Sequence, residues 1–340
     1  MSAEYIDKIS KQAQDYYQNT PVIILGSGAS SAFGMSGMWK LSKHLIDNIS
    51  VDDLSSSNKE SWLKFCKELN DGVDLESALH RISLSTELTE KIVISTWSLL
   101  TPEDLSVFDR SLKDNNLFPL GKLMRHMFRS TNGEINVITP NYDRLAEYAC
   151  EQENIHHYCG FSHGYRKTVV ERDYLKCKRQ ANIWKVHGSL DWFSDEKGVI
   201  SSLGNVRTIP TGLVPLIVTP GVDKYRNTHR EPYKSTIHES DNVIDAAKSY
   251  LCIGFGFNDE HIQEKLVNRC AKKDAKVIVV THKLSDSAKK FLFEGNVDNY
   301  LAIEAGNSDD ESFVYSSLQE EKMTVNENYW SLDGFLRLIM

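Results

Sequence analysis

The sequence predicts an α/β protein: a Rossmann-like, doubly wound parallel sheet that carries a helical insertion or cap. Three observations predict it. Short apolar runs of four to six residues, most of them rich in valine and isoleucine, recur along the chain. Helical patterns separate several of these runs. Four clusters of small or polar residues each follow such a run directly. Apolar runs of that length suit parallel strands covered on both faces.

The elements follow in order. The N-terminal stretch MSAEYIDKISKQAQDYY is polar and helical in pattern. Pro21–Leu25 reads as the first strand and runs into Gly26-Ser27-Gly28-Ala29-Ser30, the opening of a βα unit. Further strands are expected at Ile135–Thr139, Ile183–Val186, Leu213–Val218, Tyr250–Ile253, Lys276–Val280 and Tyr300–Ile303, with helices over Asp259–Ala271 and Ser285–Phe293. Between residues 35 and 129 the period changes. Met38, Leu41, Leu45 and Ile49 fall at helical spacing, as do Trp62, Phe65 and Leu69, then Leu75, Leu79 and Ile82. This predicts a Rossmann domain over residues 1–34 and 130–305 interrupted by a helical insertion. The charged, unpatterned stretch Phe161–Gln180 reads as a surface loop or short hairpin, and 306–322 as a linker or solvated helix. The chain closes with a C-terminal docking segment over residues 306–340: its last stretch, 329–340, ends in FLRLIM, an apolar terminus that is better docked than frayed.

Composition narrows the function classes. The chain has 340 residues, of which 41% are hydrophobic and 25% charged, the balance of a globular protein. Lysine and arginine total 39 against 47 aspartates and glutamates, a net charge of −8 that argues against direct nucleic-acid binding as the main task. The basic stretch Arg166–Arg179 keeps open a contact with a nucleic acid or an acidic partner. No apolar run approaches the ~18 residues of a membrane span, and no signal-peptide pattern opens the chain. A cytoplasmic protein with reduced cysteines is expected. None of the six cysteines forms a C-x-x-C pair. Cys150, His156, His157, Cys159, His163 and Cys177 crowd together, but their spacing matches no common zinc finger, so no metal is expected.

Four clusters carry candidate chemistry. Gly26–Ser30 is either a plain strand-to-helix turn or a backbone cradle for phosphate. Thr139-Pro140-Asn141-Tyr142-Asp143 follows a strand end, where α/β folds place their sites; its alternative reading is a helix cap. In Lys185-Val186-His187-Gly188-Ser189-Leu190-Asp191-Trp192, the histidine is a potential proton acceptor or a satisfied structural residue. In Gly254-Phe255-Gly256-Phe257-Asn258-Asp259, the glycines permit close approach of a ligand, while Asn258 or Asp259 can cap the next helix. No acidic residue ends a clear second strand about 20 residues after the first turn, which counts against a dehydrogenase.

The ordered set GSGAS (26–30), TPNYD (139–143), KVHGSLDW (185–192) and GFGFNDEHI (254–262) spans most of the chain. It resembles the bacterial sirtuin-like domains of antiphage defence systems. The resemblance implies an NAD pocket. Gly26, Ser27, Gly28, Ala29, Ser30, Thr139, Tyr142, Gly254, Gly256 and Phe257 would contact the dinucleotide. Asn141 and Asp143 would hold the nicotinamide and its ribose, and His187 would contact ribose hydroxyls and act as base. The zinc ribbon of deacetylating sirtuins is missing, and SAFGMSGMWK stands where they carry isoleucine, proline, aspartate, phenylalanine and arginine. The implied activity is therefore NAD hydrolysis to nicotinamide and ADP-ribose. Protein deacylation or ADP-ribosyl transfer is one alternative, and a non-catalytic NAD or ADP-ribose sensor another. Because NAD depletion is lethal, gating is expected through a homo-oligomer or a partner such as a HerA-like DNA-translocase ATPase, with residues 35–129 and 329–340 as the available surfaces.

Overall fold

The computed structural model describes residues 3–175, 177–219, 231–294 and 297–340. Among the described residues seven strands run parallel: β1 (Val22–Leu25), β2 (Glu134–Thr139), β3 (His157–Tyr158), β5 (Gln180–Lys185), β9 (Ser249–Ile253), β10 (Lys276–Thr281) and β11 (Asn299–Ala305). Two antiparallel strands, β12 (Ser312–Ser316) and β13 (Met323–Val325), extend one edge. Among the described residues the order is β13-β12-β11-β10-β9-β1-β2-β5-β3, with the chain switching direction at β1. That arrangement is doubly wound, and it opens a crevice at the carboxyl ends of β1, β2 and β9.

Alternation along each strand shows why both faces are covered. Ile23, Leu251, Ile278 and Val280 belong to one apolar cluster, whereas Val22, Ile24, Tyr250, Val277 and Val279 belong to another. The first cluster is closed by α1 (Ala3–Tyr17), α7 (Pro119–Met127) and α8 (Leu145–Gln152). The second is closed by α9 (Tyr233–Ala246), α10 (Glu260–Cys270) and α11 (Asp286–Phe293). The last helix, α12 (Leu332–Ile339), starts at Ser331, whose hydroxyl accepts from Gly334 N. It buries Phe335, Leu336, Leu338 and Ile339 against α1 and α7 of its own chain. The apolar terminus is thus docked, but intramolecularly.

The segment after β1 forms a helical cap: α3 (Met38–Asn48), α4 (Ser56–Asn70), α5 (Leu75–Arg81) and α6 (Thr86–Ser111). Ser55, Asp74 and Ser85 each accept a backbone N–H from the first turn of the helix that follows, which fixes where α4, α5 and α6 begin. Leu45, Trp62, Phe65, Leu79, Leu88 and Ile92 give the cap its own core. The 26-residue α6 serves two cores: Leu88 and Ile92 face the cap, while Val93, Trp97, Leu100 and Val107 join the sheet's cluster.

Two sequence expectations need correction. Leu213–Val218 does not enter the parallel sheet. As β8 (Leu213–Ile217) it joins β4 (Arg166–Thr168), β6 (Gly188–Asp195) and β7 (Ile200–Leu203) in a separate antiparallel sheet ordered β4-β7-β6-β8. A short apolar run reads alike in either setting, so periodicity could not separate them. Residues 306–322 are neither linker nor helix, because β12 lies there with alternating burial against β11. In Phe161–Gln180 the hairpin reading is the apt one: Phe161 bridges Val169, and Ser162 N bonds Thr168 O.

Candidate active site

Two glycine turns meet at the centre of the crevice. β1 runs into Gly26 and the short α2 (Ser27–Ser31), and β9 runs into Gly254. Gly26 N donates to Ile253 O and Gly28 N to Gly254 O, each at 3.0 Å. Gly254 has φ +56°, and a Cβ there would sit 2.2 Å from Ala29 N; on Gly26 it would sit 2.4 Å from Gly254 O. Only glycines let these neighbouring exits interlock.

The turn after β2 hangs on this pair. Thr139 Oγ1 donates to Leu25 O and accepts from Asn141 N, both at 3.0 Å. Asn141 Nδ2 donates to Gly26 O at 2.9 Å and to Ser30 Oγ at 3.0 Å. A carbonyl only accepts, so this fixes the amide orientation and leaves Asn141 Oδ1 as the acceptor. Ser30 Oγ donates to Asp143 Oδ2 at 2.7 Å, while Asp143 Oδ1 accepts Leu145 N at 3.2 Å. Asp143 therefore serves both the helix start and the crevice. Beneath it, Asp104 of α6 takes Arg144 Nη2 at 2.5 Å and the Tyr148 hydroxyl at 2.7 Å, clamping the turn from below.

The turn after β5 brings the histidine. Lys185 is fully buried, and its Nζ donates to Asp143 O and, at 3.1 Å, to Glu147 Oε1. Gly188 has φ +86°, and a Cβ there would strike Leu216 O at 2.1 Å. Val218 N holds His187 O at 2.9 Å. His187 Nε2 lies 2.5 Å from Asp259 Oδ2, and Asp259 Oδ1 accepts Ile262 N at 3.0 Å as the cap of α10. His187 Nδ1 is buried with no hydrogen-bond partner among the described residues.

Burial dominates the electrostatics. It pushes the Asp143 carboxyl above its usual range, against the pull of Lys185 and the Ser30 hydroxyl. Burial also raises Glu147 in spite of Lys185. Burial alone would lower Lys185, but Glu147, Asp143 and Asp191 together raise it, so the ammonium stays charged. Burial would raise Asp191; Lys167, Arg144, Lys185 and the Ser189 hydroxyl outweigh that and hold it low. Tyr142, whose hydroxyl donates to Val218 O at 2.9 Å, is raised by burial.

The result is a cleft of about 660 Å³. Asn141, Asp143 and His187 all line it, as do Gly26, Ser27, Ser30, Tyr142 and Gly256. Gly28, Ala29, Thr139, Gly254 and Phe257 are not among the residues that line it. The first four lock the turns together, as described above. Phe257, completely buried, stacks on Phe291 with ring centroids 4.7 Å apart. Phe255 also lines the cleft. Sequence reasoning missed the cap's contribution, Met35–Met38 and Asp74–Ser77 with His80, because nothing local marks which cap residues face the crevice. Asp259 was visible only as a helix cap, and its contact with His187 joins residues 72 positions apart.

The cysteine–histidine cluster is dispersed. Cys150 and Cys159 are buried, and burial pushes the Cys159 thiol up to about 12. Among the described residues, no group of three or more histidine, cysteine, aspartate or glutamate side chains is placed to hold a metal ion. No described helix is long and apolar enough to cross a membrane.

A search of curated proteins finds no match. Among solved structures, the chain is similar to a Sir2 enzyme described for mechanism and regulation, at 16% identity and TM-score 0.44, covering 86% of this chain and 91% of that one. It is similar to Sir2Tm bound to a propionylated peptide, at 12% identity and TM-score 0.42, covering 82% and 88%. It is also similar to a Sir2 homologue mutant complexed with ADP-ribose, at 13% identity and TM-score 0.41, covering 85% and 88%. Residues 135–299, from β2 into the start of β11, match the family model of the SIR2-like domain.

Proposed function

We propose that this protein is an NAD⁺ glycohydrolase that cleaves NAD⁺ to nicotinamide and ADP-ribose. The observation that carries the reading is the convergence of Asn141, Asp143 and His187, from two separate strand ends, on one cleft beside the interlocked glycine turns. In the reaction the bond between ribose C1′ and the pyridinium nitrogen breaks, and its electron pair neutralises the leaving nicotinamide. Water adds to C1′ and gives up one proton. The transition state is oxocarbenium-like, as in other glycoside cleavages. Asn141 Oδ1, left as an acceptor, suits an amide N–H of nicotinamide or the attacking water. The Asp143–Ser30 pair supplies negative potential near the ribose, and His187 receives a hydroxyl or water proton.

The sirtuin-like resemblance extends the proposal to its setting: a cytoplasmic antiphage defence enzyme, gated by self-assembly or by a DNA-translocase ATPase. Because α12 is already buried in its own chain, the outer face of the cap is the better candidate for that contact. The test is incubation of pure protein with NAD⁺ and chromatographic resolution of products, with and without the candidate partner. Equimolar nicotinamide and ADP-ribose are expected. Covalently modified protein would make the chain a transferase, and intact NAD⁺ under both conditions would make it a sensor.

A further inference from the structure

We infer that Asp259 is the positioning residue for His187: it holds the imidazole as the Nε2–H tautomer, so that Nδ1 is the nitrogen left to accept a ligand's proton. The inference deepens the hydrolase reading and rests on it for its kinetic half. An ionised carboxylate only accepts hydrogen bonds, so at 2.5 Å the shared proton belongs to Nε2. The carboxylate cannot swing away easily, because its other oxygen is fixed by Ile262 N at the start of α10. His187 is equally constrained. Its carbonyl is held by Val218 N, and the left-handed Gly188 behind it leaves no room for a side chain. Both side chains are about nine-tenths buried, so water competes poorly for the contact. That leaves Nδ1, buried and with no partner among the described residues, as the remaining acceptor of a residue that lines the cleft. A ribose hydroxyl or the attacking water would place its proton there. The developing imidazolium would then be stabilised by the adjacent Asp259 carboxylate, the arrangement that triads use.

The experiment uses the full chain labelled with ¹⁵N-histidine, with His187→Ala identifying the signal. In the wild type, two-bond proton–nitrogen couplings are expected to show a protonated Nε2 and a bare Nδ1. Asp259→Asn keeps a good helix cap but offers a donor as well as an acceptor, and it is expected to shift His187 toward mixed tautomers. Its kcat for NAD⁺ cleavage should fall at least ~10-fold, toward the ~10²–10⁴ a general base contributes, with KM little changed and thermal midpoint retained. A protonated Nδ1 in the wild type would overturn the inference, and so would wild-type turnover in Asp259→Asn. If that variant fails to fold, the wild-type tautomer alone decides. If no NAD⁺ is cleaved by any form, the hydrolase reading fails while the tautomer still tests the role of Asp259.

Discussion

The cap and the crevice are neighbours built on opposite principles. The cap is local: α3, α4, α5 and the first half of α6 close a core of leucines, Trp62 and Phe65 drawn from one continuous stretch. The crevice is assembled from four turns scattered along the chain, and buried polar groups hold it together. Asn141, Ser30, Asp143 and Lys185 form one hydrogen-bonded chain across three strand ends. Removing atoms from the cap should therefore cost stability, and removing them from the crevice should cost chemistry.

The largest effect separates the two directly. Asn141→Ala and His187→Ala should each reduce NAD⁺ cleavage by about 10²–10⁴-fold, with stability lowered by about 1–3 kcal/mol because buried partners are left unpaired. Product assays beside denaturant unfolding check both halves. Phe65→Ala is the mirror image. Phe65 is completely buried and packs on Trp62 with ring centroids 5.3 Å apart. Its loss should cost about 3–5 kcal/mol in urea unfolding, while turnover per folded molecule stays within a few-fold. A variant that loses activity without stability at Phe65 would dissolve the comparison.

A third prediction sharpens it through pH. Burial, reinforced by Lys167 and His163, pushes His157 down to about 4, against an ordinary value near 6.5. Between those values the unfolded chain holds the extra proton. This contribution to stability is complete above pH ~6.5 and falls by about 2 kcal/mol as pH drops to 5. Asp191, held low, adds a further loss below pH ~4, whereas raised Asp143 and Glu147 act with the opposite sign. The measurement is accordingly the difference between wild type and His157→Gln, whose stability should vary less over pH 5–6.5. The smallest effect tests the seam between the regions. Glu103 on α6 accepts Ser36 N at 2.7 Å and Lys40 Nζ at 2.9 Å, tying the loop before α3 to the crevice wall. Glu103→Gln should cost about 1 kcal/mol and appear in substrate titrations mainly as a raised KM.

The two regions also differed in how legible they were. The cap's helices follow from spacing that any reader of Leu41, Leu45, Trp62 and Phe65 can count, and from caps such as Ser55 and Asp74. The parallel strands were visible because both faces are apolar. What stayed hidden depends on partners distant in sequence. Leu213–Ile217 looked like one more buried strand, since the pattern says a run is covered but not by which sheet. The close packing of Gly28 on Gly254 joins turns more than 200 residues apart, and no local pattern announces it. Asn141, Asp143 and His187 could be singled out because their motifs are short and ordered, whereas Asp74 and Glu76 enter the cleft only through the way the cap folds back.

The shared helix has a mechanical consequence. At about 1.5 Å per residue, α6 runs about 39 Å, with Pro102 inside it, the cap's core at one end and the Asp104 clamp on Arg144 at the other. Trp97 Nε1 pins its middle to Leu190 O at 2.8 Å. A helix anchored in two cores cannot let one loosen without tugging the other, so both should open as a single cooperative unit. Amide protons of Leu88 and Leu105, at opposite ends, are expected to exchange with solvent at the same free energy. A force applied to the outside of the cap would then arrive, along the helix axis, beneath the turn that carries Asn141 and Asp143.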